Sequence, residues 1–208
     1  MKTVVIIQAR MTSSRLPGKV ILPLGQGTVL AEVLKRSKAI QGIDEVCCAI
    51  PIGEIHDVLV PEIEKYGCTV YRGSETNVLE RYYEAAKFLN ADVIMRITSD
   101  CPLINSEVCA DVLSLHMKNN AQYTCNNMPP SWPHGYDCEV FGIKELEDAM
   151  QYSTLPDDFE HVTEWMRRSL VVHNLQNPNG NERHLRITLD TPEDYEFIKN
   201  YYETVEKN

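Results

Sequence analysis

Three cations, Arg10, Arg15 and Lys19, stand close together in Gln8-Ala9-Arg10-Met11-Thr12-Ser13-Ser14-Arg15-Leu16-Pro17-Gly18-Lys19, within a chain whose net charge is -10. Arginine presents a forked set of donors to phosphate oxygens, lysine a mobile point charge, and the backbone N–H groups of a small-residue loop can close on an anion. Gln8, Ala9 and Ser13 belong to the same stretch. The chemistry expected here is the grip on a nucleoside triphosphate; the competing reading is a solvated basic surface loop. No GxxxxGK[ST] string occurs, and Gly25-Gln26-Gly27 lacks the spacing of a dinucleotide fingerprint, so neither common phosphate-loop motif applies.

Two carboxylates share one context. Arg96-Ile97-Thr98-Ser99-Asp100 and Arg186-Ile187-Thr188-Leu189-Asp190 both read R-I-T-x-D at the end of a strand-like run. Side chains of an extended chain alternate, so Arg, Thr and Asp at i, i+2 and i+4 share a face and leave the aspartate at the strand tip. Asp100 and Asp190 are thus candidate ligands for Mg2+, which is usually held by one or two carboxylates plus substrate phosphates. The competing role is helix capping, but Thr191 before Pro192 and Asn105 or Ser106 are better caps. Arg96 and Arg186 are expected to pair with the neighbouring aspartates.

The elements that must position these groups follow from periodicity. Thr3–Gln8, Glu45–Ile50, Thr69–Arg72 and Val93–Thr98 read as strands, with helices over Thr28–Lys38, His56–Tyr66 and Asn77–Leu89 between them. Runs such as Val4-Val5-Ile6-Ile7 suit strands covered on both faces, so the expected fold is α/β, a mostly parallel sheet with helices on both sides. Ligands in such sheets bind beyond the carboxyl ends of the strands, where the basic loop begins. Further along, 126–136 has loop chemistry, with three prolines and Trp132. Strand Cys138–Phe141, helices Lys144–Met150 and Phe159–Ser169, strand Leu170–Leu175, strand Leu185–Leu189 and helix Pro192–Tyr202 complete the expectation.

Length and composition narrow the rest. At 208 residues and 43% hydrophobic content, one domain spanning 1–208 is expected. The negative charge disfavours nucleic acid as a partner. The apolar start, Val4 to Ile7, is too short for a signal peptide or a membrane span, so a soluble cytoplasmic protein is expected. Seven cysteines without CxxC spacing read as reduced, buried thiols.

The loop from Gln8 to Lys19, the Asp100-Cys101-Pro102-Leu103 turn and Leu189-Asp190-Thr191-Pro192-Glu193-Asp194 together resemble the SpsF-type cytidylyltransferases, relatives of CMP-Kdo synthetases and acylneuraminate cytidylyltransferases. Arg72-Gly73-Ser74-Glu75, Val78-Leu79-Glu80-Arg81-Tyr82-Tyr83, Gly135-Tyr136-Asp137-Cys138-Glu139-Val140-Phe141 and Glu160-His161-Val162-Thr163 extend the likeness over nearly the whole chain. The resemblance implies a nucleotidyltransferase fold of glycosyltransferase-A type with a mixed sheet, CTP as donor, Mg2+ on Asp100 and Asp190, Arg10, Arg15 and Lys19 on the triphosphate, Arg72 and Arg81 near the nucleotide, and a homodimer. The sequence departs from the pattern at Thr12, where glycine is common, and at His134, where aspartate is common.

The expected reaction is transfer of CMP from CTP to an acidic sugar or related acceptor with release of pyrophosphate. His134, Glu139, His161 and Arg183, polar residues of the later half, are candidates for the acceptor pocket. A metal-dependent glycosyltransferase consuming a nucleotide sugar, or a non-catalytic nucleotide-binding domain, are the alternatives.

Overall fold

The computed structural model describes residues 1–205; residues 206–208, which the single-domain expectation includes, lie outside the described residues. The first half is built as the periodicity requires. Strand β1 (Thr3–Gln8) leads through a 3-10 turn (Lys19–Ile21) and a two-stranded ribbon, β2 (Pro23–Leu24) and β3 (Gly27–Thr28), into helix α1 (Val29–Lys38). Then follow β4 (Glu45–Pro51), a 3-10 segment (Glu54–Leu59), α2 (Val60–Lys65), β5 (Thr69–Gly73), α3 (Val78–Phe88), β6 (Val93–Thr98) and α4 (Ser106–Asn119). The second half adds β7 (Tyr123–Cys125), β8 (Glu139–Gly142), α5 (Ile143–Tyr152), α6 (Pro156–His161), α7 (Glu164–Ser169), β9 (Val172–Asn174) and α8 (Pro192–Val205).

Seven strands form one sheet in the order β5-β4-β1-β6-β8-β7-β9. The β5-β4-β1-β6 half is parallel, β8 runs antiparallel to both β6 and β7, and β9 pairs parallel with β7. Alternation along β1 divides the core. Val5 and Ile7 face α1, α2 and α4 through Leu30, Val33, Ile63, Cys109 and Val112. Val4 and Ile6 face the other layer, through Leu79 and Tyr82 of α3, Leu146 of α5 and Met166 of α7. A smaller cluster joins the ribbon to α8 through Leu24, Val29, Ile187, Leu189 and Ile198. The fold is therefore the expected mixed, mostly parallel sheet with helices on both faces, and all seven cysteines are buried free thiols. No described helix is long and apolar enough to cross a membrane.

Four local expectations are corrected. The helix anticipated over 56–66 divides into the 3-10 segment and α2, with Pro61 near the helix start, where proline is accommodated. The helix anticipated over 159–169 breaks at Val162, which lies at φ 66. Arg168 binds the Asp158 carboxylate with both guanidinium nitrogens at 2.6 Å, while the Thr163 hydroxyl donates to the buried Glu139 at 2.9 Å, and the two anchors fold α7 back on α6. The strand anticipated over 185–189 is extended and buried over Ile187–Leu189 but forms no ladder. Its backbone makes two hydrogen bonds with His134, which donates to the Leu185 carbonyl and accepts from Ile187 N–H at 2.8 Å each in an isolated parallel bridge, and one with Asp100, where Leu189 N–H donates to the carbonyl at 2.7 Å. The strand anticipated over 170–175 is confined to Val172–Asn174, and β7, β2 and β3 were not anticipated.

Candidate active site

Sequence order reverses between β1 and β6. From β1 the chain steps outward to β4 and β5, then returns across α3, on the opposite face, to the other side of β1. That reversal opens a crevice at the carboxyl ends of β1 and β6, the place where open α/β sheets bind ligands. Both chemistry-bearing segments leave the sheet there: Gln8 and Thr98 are register partners at the two strand tips.

The crevice is a cleft of about 290 Å³. Gln8, Ala9, Arg10, Ser13, Arg15 and Lys19 line it from the β1 side, and Asp100 from the β6 side. Asp190 arrives on the extended 185–189 segment. Arg81 enters from α3 and His161 from the end of α6. Ser14, Arg96, Thr98, Ser99 and Glu160 also line the cleft and were not singled out as ligand contacts from sequence. The signal for Arg96 and Thr98 was present, since the strand alternation set both on the face of Asp100.

Lys19 joins the two carboxylates. Its ammonium lies 3.3 Å from Asp100 Oδ2 and 3.1 Å from Asp190 Oδ1, and it donates to the Leu189 carbonyl at 2.6 Å. Arg15 reaches Asp190 Oδ1 at 2.8 Å, and Arg186 reaches Asp190 Oδ2 at 2.7 Å. Burial alone would push the Asp190 carboxyl up, but Lys19, Arg186 and Arg15 outweigh it and hold that carboxyl below the usual aspartate range.

The helix starts leave both aspartates free of capping. Asn105 accepts from the N–H groups of Glu107 and Val108 at the start of α4. Thr191 accepts from Asp194 N–H at the start of α8, and Asp194 returns the bond to Thr191 N–H, a reciprocal capping box.

Arg186 pairs with Asp190 as expected and also with Asp194 at 3.0 Å. Arg96 does not pair with Asp100. It stands directly opposite Glu139 in the β6–β8 register and binds that carboxylate at 2.6 Å. Cross-strand proximity, available only once the sheet forms, wins over proximity along the chain.

Glu139 is thereby corrected as an acceptor-pocket candidate. It is 2% exposed and its carboxylate is occupied by Arg96, Arg167, Tyr123 and Thr163. Burial pushes its carboxyl up, but the two guanidinium groups and the Tyr123 hydroxyl hold it low. It is the internal counter-ion beneath the cleft floor. Arg72 lies outside the cleft lining and pairs with Asp57. Arg183 pairs with Asp137 at 2.7 Å, and His134 lies beside Arg186, with Nδ1 3.1 Å from the guanidinium Nη1. His134 and Arg183 therefore form a polar group reaching Asp190 through Arg186, next to the cleft but not in its wall. Burial and the Arg183 charge keep the His134 ring below the usual histidine range.

Among the described residues, no cluster of three or more His, Cys, Asp or Glu side chains stands ready to hold a metal ion. The donor set does suit a hard cation: Asp100 and Asp190, 28% and 13% exposed, are two carboxylates drawn to one atom at the cleft surface. A magnesium ion bound there would complete its coordination with water and substrate phosphate.

A cationic loop facing paired carboxylates at the switch point of an α/β sheet suits a nucleotidyltransferase. The family model described as Cytidylyltransferase matches residues 4–207, and the chain belongs to that family. The spore coat polysaccharide biosynthesis protein SpsF of Bacillus subtilis is 34% identical over 207 residues, covering 95% of this chain and 85% of that protein. The solved structure of a cytidylyltransferase from Leptospira borgpetersenii superposes with a TM-score of 0.92 at 32% identity, over 100% of this chain and 95% of that one. A CMP:2-keto-3-deoxy-manno-octonic acid synthetase solved with CTP shares the fold, with a TM-score of 0.74 at 16% identity over 99% of this chain and 100% of that one. The enzyme is thus a nucleotidyltransferase of cytidylyl transfer.

Proposed function

We propose that the enzyme transfers CMP from CTP to an acidic sugar or related acceptor and releases pyrophosphate in surface polysaccharide or glycoconjugate synthesis. The observation that carries this reading is the convergence of Lys19, Asp100 and Asp190, within 3.3 Å of a shared ammonium, in a cleft that Arg10 and Arg15 also line. The acceptor class is supported by relatives that include the 8-amino-3,8-dideoxy-manno-octulosonate cytidylyltransferase of Shewanella frigidimarina, 24% identical over 176 residues.

In this reading Arg10, Arg15 and Lys19 hold the triphosphate, with Gln8, Ala9, Ser13 and Arg81 completing the nucleotide side. The acceptor hydroxyl gives up its proton to solvent as its oxygen bonds to the α phosphorus, the bond from that phosphorus to the α–β bridging oxygen breaks, and pyrophosphate leaves with the bonding pair. Positioning and charge neutralisation by these fixed cations supply the catalysis, because such phosphoryl chemistry asks little covalent participation of the protein. Asp100 and Asp190 would hold Mg2+, which when bound neutralises phosphate charge and activates the phosphorus as a Lewis acid. Arg72, displaced to the Asp57 pair, serves the nucleotide only if that pair opens.

The acceptor meets the nucleotide from the side of His161, with Arg183 and Arg186 supplying positive charge for a carboxylate and the uncharged His134 ring beside Arg186. A homodimer in the cytoplasm is the proposed state.

The test is incubation with CTP, Mg2+ and a panel of acidic sugars, reading pyrophosphate and a CMP conjugate. Pyrophosphate released only in the presence of an acceptor supports the proposal. Consumption of a nucleotide sugar without pyrophosphate release overturns it.

A further inference from the structure

The basic loop is not free to choose its shape. Gly18 N–H donates to the Met11 carbonyl at 2.9 Å, closing the loop on itself, and Gly18 occupies φ 71, a backbone state that glycine accepts without strain. Met11 N–H donates to Nδ1 of His56 at 3.2 Å. Both backbone polar groups of Met11 are therefore fixed, one by the far end of the loop and one by a residue of the 3-10 segment after β4.

His56 is 1% exposed and does not line the cleft. Because Nδ1 accepts, the ring proton belongs on Nε2. That nitrogen is buried without a hydrogen-bond partner and lies 3.9 Å from Glu75 Oε1. The same carboxylate oxygen accepts from the Thr12 hydroxyl at 2.5 Å. Met11 and Thr12, consecutive at the bend of the loop, are thus tied by two side chains, His56 and Glu75, that face each other and stand outside the cleft. A buried polar ring with one of its two nitrogens committed to a single loop amide is costly to keep unless that amide must be held in place.

We propose that His56 is a positioning residue for the nucleotide: through its Nδ1 bond to the Met11 amide it fixes the bend of the 8–19 loop, so that Arg10 and Ser13 on either side face the cleft before CTP arrives. The inference rests on the nucleotide reading of the cleft. Preorganising a loop reduces the ordering that binding would otherwise require, so the effect belongs in nucleotide affinity.

The test compares His56→Asn with His56→Gln in the full chain, titrating each with CTP and magnesium by calorimetry. An asparagine amide oxygen can stand where Nδ1 stood and accept from Met11; a glutamine amide extends towards the Nε2 position and cannot. His56→Asn is expected to stay within about threefold of the wild-type CTP affinity, and His56→Gln to weaken it about tenfold, the loss of one hydrogen bond. Melting temperatures of the two variants are expected to agree, which a merely structural role for the ring would not pair with a split in affinity.

Equal affinity in the two variants, or wild-type affinity in His56→Gln, overturns the inference. Thr12 is exposed, so Thr12→Val cuts the second tether without touching the core and stands in if both His56 variants unfold. It is expected to weaken CTP binding two- to fivefold, and unchanged binding there also overturns the inference. A wild-type protein that binds no CTP defeats the nucleotide reading itself, whereas wild-type binding with an unaffected His56→Gln defeats the positioning role alone.

Discussion

The ammonium of Lys19 lies 3.1 Å from the carboxylate of Asp190, a residue 171 positions away in the chain. Lys19 is almost wholly enclosed, with its side chain 11% exposed, and Asp190 is nearly as buried at 13%. The pair closes the cleft from the loop side and, with Asp100, sets one cation between two carboxylates at the cleft wall.

Replacing Lys19 with methionine keeps the stem and removes the charge. Pyrophosphate release is expected to fall by about two to three orders of magnitude, the usual cost of losing one preorganised donor to a developing charge. Lys19 is also a principal reason the Asp190 carboxyl is held low. A carboxyl so depressed stays ionised as the pH falls until its folded pKa is reached. Without Lys19 that pKa rises, so the acid limb of the rate profile is expected to move to higher pH. A profile that does not move removes Lys19 as the partner of Asp190.

Glu139 is expected to answer in stability. Changing it to glutamine removes the negative charge between Arg96 and Arg167, leaving both guanidinium groups without their shared buried carboxylate. Breaking a buried pair from one side costs about 3 kcal/mol, read by urea denaturation. Glu139→Gln with wild-type stability and a raised acceptor KM is the opposite result, and it would return this residue to the acceptor pocket.

A pH effect is expected at the opposite end of the sheet. His116 of α4 is 5% exposed, bonded through Nδ1 to the Thr124 hydroxyl at 3.1 Å, and burial holds its ring down to about 4. In the unfolded chain a histidine titrates near 6.5, so between about 6.5 and 4 the unfolded state binds a proton the folded state refuses. Stability is therefore expected to decline as pH falls through that window, by at most about 2 kcal/mol at pH 5 from this residue. Comparing wild type with His116→Asn by denaturation at pH 7 and pH 5 isolates the contribution, since other groups titrate alike in both. An equal acid-induced loss in the two proteins sinks the assignment.

Much of this molecule was legible in one dimension. The apolar runs of β1, β4 and β6 and the 3.6-residue period of α1 and α3 gave the α/β class, because burial on two faces or one stripe is a local demand on residue type. The caps Asn105 and Thr191 were readable for the same reason, as each acts within three residues. Chemistry at strand tips was readable too, since alternation sets Arg96, Thr98 and Asp100 on one face and a parallel sheet binds at its carboxyl edge.

What the sequence left undetermined depends on distances between segments far apart in the chain. Arg96 has Asp100 four residues on and on the same strand face, yet the β6–β8 register set Glu139 opposite it and turned a polar candidate for the acceptor pocket into a buried counter-ion. The 185–189 run alternates like a strand, but its neighbours are the loop at His134 and the Asp100 carbonyl, so it delivers Asp190 without joining the sheet. His56 carried no signal at all, because its partner is a backbone amide, and backbone amides are the same at every residue but proline. Residue type and period determined the fold class and nominated the charged groups; only the three-dimensional pairing of strands and loops decided which of those groups meet, since a Coulomb or hydrogen-bond partner is defined by ångströms and not by position in the chain.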